Sequence, residues 1–63
     1  MEFRVGFKMR DGEVHFVSVE SDDENRALRY IQANVNLCLA ERQLYEISDN
    51  LAINPRYIVK IWV

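Results

Sequence analysis

A chain of 63 residues with a formal net charge of −2 at pH 7 is long enough for one small domain. Hydrophobic residues make up 49% and charged residues 29%, which argues against a disordered tail. The net negative charge argues against a protein that binds nucleic acid by overall electrostatics. No apolar run is long enough for a membrane span or a signal peptide, so we expect a cytoplasmic protein that does not bind a membrane.

Cysteine and histidine usage limits the ways in which so short a chain can be stabilised. Cys38 is the only cysteine and His15 the only histidine, so the chain cannot form an intrachain disulfide or a usual zinc site. A domain of this length buries roughly 60% of the surface that its unfolded chain exposes, which leaves a marginal core. We therefore expect reducing conditions, no metal and no cofactor, with a second copy of the chain as the simplest further support.

The first predicted element is a β-hairpin around Asp11-Gly12, the strongest short-range turn signal in the chain. A three-residue turn with Gly12 in the left-handed conformation pairs Phe3 with Val19, whereas a two-residue turn pairs Phe3 with Glu20. The three-residue turn keeps the apolar residues on one face, and a slip of one residue would reverse that arrangement. The hairpin residues predicted to face the core are Phe3, Val5, Phe7, Val17 and Val19.

The second predicted element is a helix that begins at a capping box. Ser21 is the expected N-cap and Glu24 completes the box three residues later, while Asp22 and Asp23 lie at the positive end of the helix dipole. These adjacent acids lack the alternating spacing of a calcium-binding loop, so capping is the preferred interpretation. An apolar stripe at helical spacing predicts the side that packs on the sheet: Ala27, Leu28, Ile31 and Val35.

Residues 37–53 are compatible with two structures. Apolar residues recur there at intervals of three and four, and helix formers are frequent, so we expect a second amphipathic helix after a kink or break near residues 34–36. The alternative ends the first helix near Gln43 and makes residues 44–48 a short strand that turns at residues 49–50.

The last predicted element is a strand in residues 56–63, which follow Pro55 and alternate in hydrophobicity. A right-handed crossover would place it beside the first strand and parallel to the second. The predicted fold class is α+β with the order β-β-α-(α)-β, in which a mainly antiparallel three-stranded sheet of order 2-1-3 has a helix or helices on one face. In the last strand, Val59 and Ile61 are expected on the covered face.

The uncovered face of this sheet is the candidate functional surface. Alternation is expected to place on it Arg4, Lys8, Phe16, Ile58, Lys60 and Trp62. Aromatic residues and arginine are enriched in protein interfaces, so we favour a homodimer or the docking of another protein. The alternative is a nucleic-acid-binding module in which Phe16 and Trp62 stack on bases and the cations contact phosphates. A third interpretation packs Phe16 and Trp62 on each other, or under the second helix, as ordinary core.

Catalysis is not expected. His15 could act as a general base and Cys38 as a nucleophile, but no glycine-rich phosphate loop or paired-carboxylate signature accompanies them. We interpret His15 as a residue at the rim of the hairpin. Cys38 lies on the apolar stripe of the helix, where a thiol behaves as a small hydrophobic group.

The hairpin, the acidic helix cap and the returning strand resemble the layout of a family of small archaeal ribosomal proteins. The shared outline covers residues 1–35, and the resemblance implies a role in RNA binding. The strongly basic character of that family is missing from this chain. Small acidic chains without an active-site signature are also frequent among phage and mobile-element accessory proteins, and this association suggests an accessory role.

Overall fold

The computed structural model describes residues 1–63 and has a three-stranded antiparallel sheet at its centre. Along the chain the elements are β1 (Glu2–Met9), β2 (Val14–Glu20), α1 (Glu24–Glu41), β3 (Tyr45–Ser48), β4 (Leu51–Ile53), one 3-10 turn (Pro55–Tyr57) and β5 (Ile58–Trp62). The main sheet has the order β2-β1-β5, and β3 and β4 form a separate two-stranded hairpin. The predicted α+β class and the strand order are confirmed.

The first hairpin has the predicted three-residue turn. Phe3 lies opposite Val19, and Gly12 has a φ of 92°, in the left-handed region. The backbone N–H of Gly12 donates to the carbonyl of Met9 at 2.9 Å, and the carboxylate of Asp11 accepts from the backbone two residues later at 3.0 Å. These bonds fix the register, and with it the face of the sheet to which each side chain belongs.

The start of α1 differs from the prediction by two residues. Asp23, not Ser21, is the N-cap, and its carboxylate accepts from the backbone N–H of Arg26 at 2.8 Å. The Ser21 hydroxyl instead donates to the carbonyl of Asp23 at 3.1 Å, so no capping box forms. Serine and aspartate are nearly equal as caps, and only the aspartate adds a negative charge at the positive end of the helix dipole.

The predicted second helix is wrong, and the alternative is correct. The helix α1 continues through residues 34–36 without the predicted break and ends at Arg42, which has left-handed φ and ψ of 57° and 43°. The N–H of Gln43 then donates to the carbonyl of Cys38 at 2.9 Å, which closes the helix end. The chain turns at residues 49–50 between β3 and β4, as the alternative predicted.

The last strand is shorter than predicted and contains a bulge. The first residues of the expected strand belong to the 3-10 turn, where the Asn54 side chain accepts from the backbone N–H of Arg56 at 3.0 Å. In β5, Ile58 lies opposite Met9 while Lys60 lies opposite Lys8, so Val59 has no partner in the ladder. The bulge changes the sides of two residues. Ile58 packs against the core and Val59 is 67% exposed, the reverse of the prediction for both.

The core lies between the sheet and a layer formed by α1 and the β3–β4 hairpin. The helix lies near β1 and β5, and β3 lies near β2. The other predicted core residues, except Val59, pack against the eight buried residues of the core. These eight are Val5, Phe7, Met9, Val19, Ala27, Ile31, Val35 and Ile53. The predicted helical stripe is therefore confirmed. The helix α1 does not combine the length and apolarity needed to cross a membrane.

Tyr45 links the hairpin to the sheet. Its ring packs edge-to-face on Phe7, with ring centroids 5.8 Å apart. Burial raises the pKa of the Tyr45 hydroxyl above its ordinary value, Tyr30 and Cys38 raise it further, and the side chain of Asn34 opposes the rise. The packing of this layer therefore favours the neutral form of the hydroxyl.

Candidate interaction face

The side of the main sheet that faces away from the core is called here the open face. The register of the three strands places on it Glu2, Arg4, Gly6, Lys8, Val14, Phe16, Ser18, Glu20, Lys60 and Trp62. Apart from Gly6 and Trp62 these residues are exposed, because α1 and the second hairpin both pack on the other side of the sheet. Five of the six residues predicted for this face lie on it. Ile58 does not, because the β5 bulge turns it toward the core.

Gly6 lies at the centre of the open face and makes room for the indole of Trp62. Gly6 is paired with Phe16 on one side and with Trp62 on the other. A Cβ at Gly6 would lie 2.5 Å from Cζ2, 2.6 Å from Cε2 and 3.0 Å from Cη2 of Trp62, so the ring lies across the backbone of the glycine. The sequence pattern alone did not give Gly6 a role. A glycine inside a strand, which often marks a close approach, was the available signal.

Phe16 and Trp62 form an aromatic pair across the open face. Their ring centroids are 6.1 Å apart and the ring planes meet at 82°, an edge-to-face arrangement. Phe16 remains 47% exposed, while Trp62 is half-buried against Gly6. The two rings therefore do contact each other, as the third interpretation expected, but no second helix covers them and their outer surface faces solvent.

Three cations surround the aromatic pair. The guanidinium carbon of Arg4 lies 4.4 Å from the centroid of the Phe16 ring, and Nζ of Lys60 lies 5.8 Å from that of Trp62. Lys8 completes the set in the row next to Gly6. None of the three forms an ion pair with a carboxylate within 4.0 Å. The charges of Arg4 and Lys60 are therefore held beside the aromatic rings without neutralisation.

The ends of the open face carry charges of opposite sign. At one end Glu2 lies opposite Glu20, and at the other end Lys8 lies opposite Lys60. Like charges directly opposite each other on neighbouring strands destabilise a sheet. The amino group of Met1 pairs with Glu20, but Glu2 has no cationic partner.

The two residues considered for catalysis lie in separate depressions of the surface. Nε2 of His15 is 3.2 Å from the carboxylate of Glu13, in a depression of about 480 Å³ between the first turn and β4. Cys38 lines another, of about 310 Å³, near the end of α1. The fold does not bring the two side chains into one site, and no three His, Cys, Asp or Glu side chains are grouped to hold a metal ion.

Comparisons with protein-family models, with curated proteins and with solved structures found no match to this chain.

Proposed function

We propose that this chain is a small non-enzymatic interaction module that docks a protein surface through its open face. The observation that carries the proposal is the aromatic pair of Phe16 and Trp62 held over Gly6. Aromatic residues dominate the binding energy of protein interfaces, and a ring that is already fixed loses little conformational entropy when a partner binds. The contact with Gly6 supports this view because it restricts the indole before any partner arrives.

The small core supports the same proposal. Only 10 of the 63 residues are buried, and eight hydrophobic side chains make up the core. A domain with so little burial gains stability from any partner that binds its folded state alone. Val14 and Phe16, both exposed on the open face, would supply further apolar area. We expect the protein to act in a reducing cytoplasm, where Cys38 stays a free thiol.

Alanine substitution of the aromatic pair tests the proposal. We expect Trp62→Ala and Phe16→Ala to weaken self-association, or binding of an isolated partner, by about 2 kcal/mol or more, since both remove an anchor of the interface. Tyr30→Ala is the matched control, because Tyr30 is an exposed aromatic residue on α1, away from the open face. Sedimentation equilibrium measures the association. Equal effects of all three substitutions, or no effect of the first two, would contradict the proposal.

A second candidate function is binding of single-stranded nucleic acid, which the uncompensated charges of Arg4, Lys8 and Lys60 favour. Bases would stack on the aromatic pair while the cations contact phosphates. Titration of a short single-stranded oligonucleotide, followed by the fluorescence of Trp62, tests this function. Binding that weakens with salt and is lost in Arg4→Ala would support it over protein docking.

A further inference from the structure

The charges at the two ends of the open face point to a particular partner. The pair of Glu2 and Glu20 and the pair of Lys8 and Lys60 each place like charges opposite each other, at opposite ends of the same face. The two lysines have no carboxylate partner, whereas at the other end Glu20 pairs with the amino group of Met1 and only Glu2 lacks a cationic partner. A single partner surface would relieve both repulsions if it carried negative charge over the lysine end of this face and positive charge over the glutamate end.

The size of the chain requires that both ends take part in any stable interface on this side. A standard protein interface covers about 800 Å² of each partner, roughly one sixth of the 4773 Å² surface of this chain. The Cα atoms span 29 × 24 × 22 Å, so an interface of that area takes up most of one side of the molecule. A partner docked on the aromatic pair would therefore also contact the charged rows at both ends.

We infer that the open face binds a second copy of this chain about a twofold axis that lies in the interface and runs across the strands. This inference rests on the proposed docking function and names its partner. A twofold axis parallel to the strands would place like ends over each other. An axis across the strands reverses them, so that the lysine end of each copy lies over the glutamate end of the other.

The register specifies the contacts of this dimer. An axis between the rows of Arg4 and Gly6 places Glu2 of each copy over Lys8 of the second copy. It also places Arg4 over the aromatic pair of the other copy, where its guanidinium can contact a second aromatic surface. Two sheets packed in this way form a sandwich in which the aromatic side chains lie at the centre.

Nucleic acid and edge pairing fit the open sheet less well. A nucleic-acid strand along the face would meet the carboxylates of Glu2 and Glu20 after leaving the cations. Pairing through either free edge of the sheet, β2 or β5, would leave the aromatic pair uncovered, and β5 also carries the bulge at Val59. Only the twofold arrangement uses the aromatic pair and both charged ends.

A charge exchange on β1 tests the arrangement, with the self-association constant measured by sedimentation equilibrium at low salt. We expect Lys8→Glu alone and Glu2→Lys alone each to weaken the dimer roughly tenfold or more, because each replaces attraction by repulsion in two symmetric contacts. The double variant Glu2→Lys with Lys8→Glu should restore most of the lost affinity. Arg29→Glu, on the exposed side of α1, is the control that changes the net charge by the same amount as Lys8→Glu.

The outcomes separate this inference from the proposed function. If Trp62→Ala and Phe16→Ala weaken the dimer but Lys8→Glu behaves like Arg29→Glu, the face docks and the twofold arrangement is overturned. If neither aromatic substitution affects a wild-type dimer, the docking face itself is wrong. If the wild-type chain stays monomeric at about 1 mM, a second copy of the chain is not the partner.

Discussion

The two faces of the main sheet differ in almost every respect although the same three strands supply both. On the covered face Val5 and Phe7 are completely buried, and no buried polar side-chain atom lacks a hydrogen bond. The open face has a glycine at its centre and like charges opposite each other at both ends. Because successive residues of a strand point to opposite sides, each face can serve a separate purpose. Local conflicts of this kind are typical of functional surfaces rather than of a core.

Substitutions of two phenylalanines in the same hairpin, one on each face, compare how much the two faces contribute to stability. Phe7→Ala should cost about 3–5 kcal/mol of unfolding free energy, because it removes a fully buried ring. Phe16→Ala should cost only about 0.5–1.5 kcal/mol, the value of an aromatic pair on a half-exposed surface. Urea denaturation of the monomer measures both. Equal costs would contradict the division of the sheet into a core face and a binding face.

Gly6→Ala should disrupt the open face while leaving the covered face intact. The added methyl group meets the indole of Trp62, so the ring must move or the sheet must strain, at a cost of about 1–3 kcal/mol. We expect the fluorescence of Trp62 to shift to longer wavelength and self-association to weaken. Ser18→Ala, on the same face, is the control. An unchanged emission spectrum in Gly6→Ala would show that the ring does not rest on Gly6.

The position of the covering helix depends on its N-cap. Asp23→Ala should destabilise the chain by about 1 kcal/mol, because it removes the acceptor for the N–H of Arg26. Ser21→Ala should have a smaller effect, since its hydroxyl donates to the carbonyl of the N-cap residue and caps no helical N–H. Thermal melts of the two variants give the order. A larger loss of stability in Ser21→Ala than in Asp23→Ala would indicate that Ser21 is the N-cap of α1.

The turn at Gly12 decides which residues reach which face. Gly12→Ala should destabilise the chain by about 1 kcal/mol, because a φ of 92° is strained for a residue with a Cβ. No atom lies within 4 Å of the position of that Cβ, so the backbone strain alone accounts for the effect. Chemical denaturation of the variant and the wild type measures it. A midpoint unchanged from the wild type would argue against the left-handed turn.

The smallest effect concerns Tyr45 on the covered face and depends on pH. Its pKa is raised in the folded chain, so the unfolded tyrosine loses its proton first as the pH rises. The contribution of this group to stability is therefore complete below about pH 10, the ordinary pKa of tyrosine, and is lost above it. We expect the difference in unfolding free energy between the wild type and Tyr45→Phe to decrease above pH 10. A difference that stays constant would contradict the burial of the hydroxyl.

The hairpin and the open face could be predicted because alternation and turn chemistry are local. The Asp11-Gly12 turn and the apolar residues on one face of β1 and β2 determined the register. The bulge at Val59 could not be predicted, because it depends on how β5 pairs with β1 and not on the pattern of β5 itself. For that reason Ile58 was assigned to the wrong face.

The prediction of a second helix in residues 37–53 was wrong for a different physical reason. Residues 37–53 have the spacing and propensity of a helix, but Leu37 and Leu44 are exposed and do not form a core stripe. The helix ends at Arg42 in a left-handed conformation, which glycine or asparagine usually adopts, so no local signal marked the end. The start of α1 was misplaced by two residues for a similar reason, because three adjacent residues that can each act as an N-cap lie there, Ser21 to Asp23.

Quenching of Trp62 fluorescence by acrylamide, measured with the solution mass over a concentration series, tests the central claim most directly. Trp62 is the only tryptophan and lies on the open face, so its emission reports on that surface alone. If the open face is the interface, quenching should fall in parallel with the rise in mass, because a partner covers the indole. A mass that doubles while quenching stays constant would place the interface elsewhere and contradict the role of the open face.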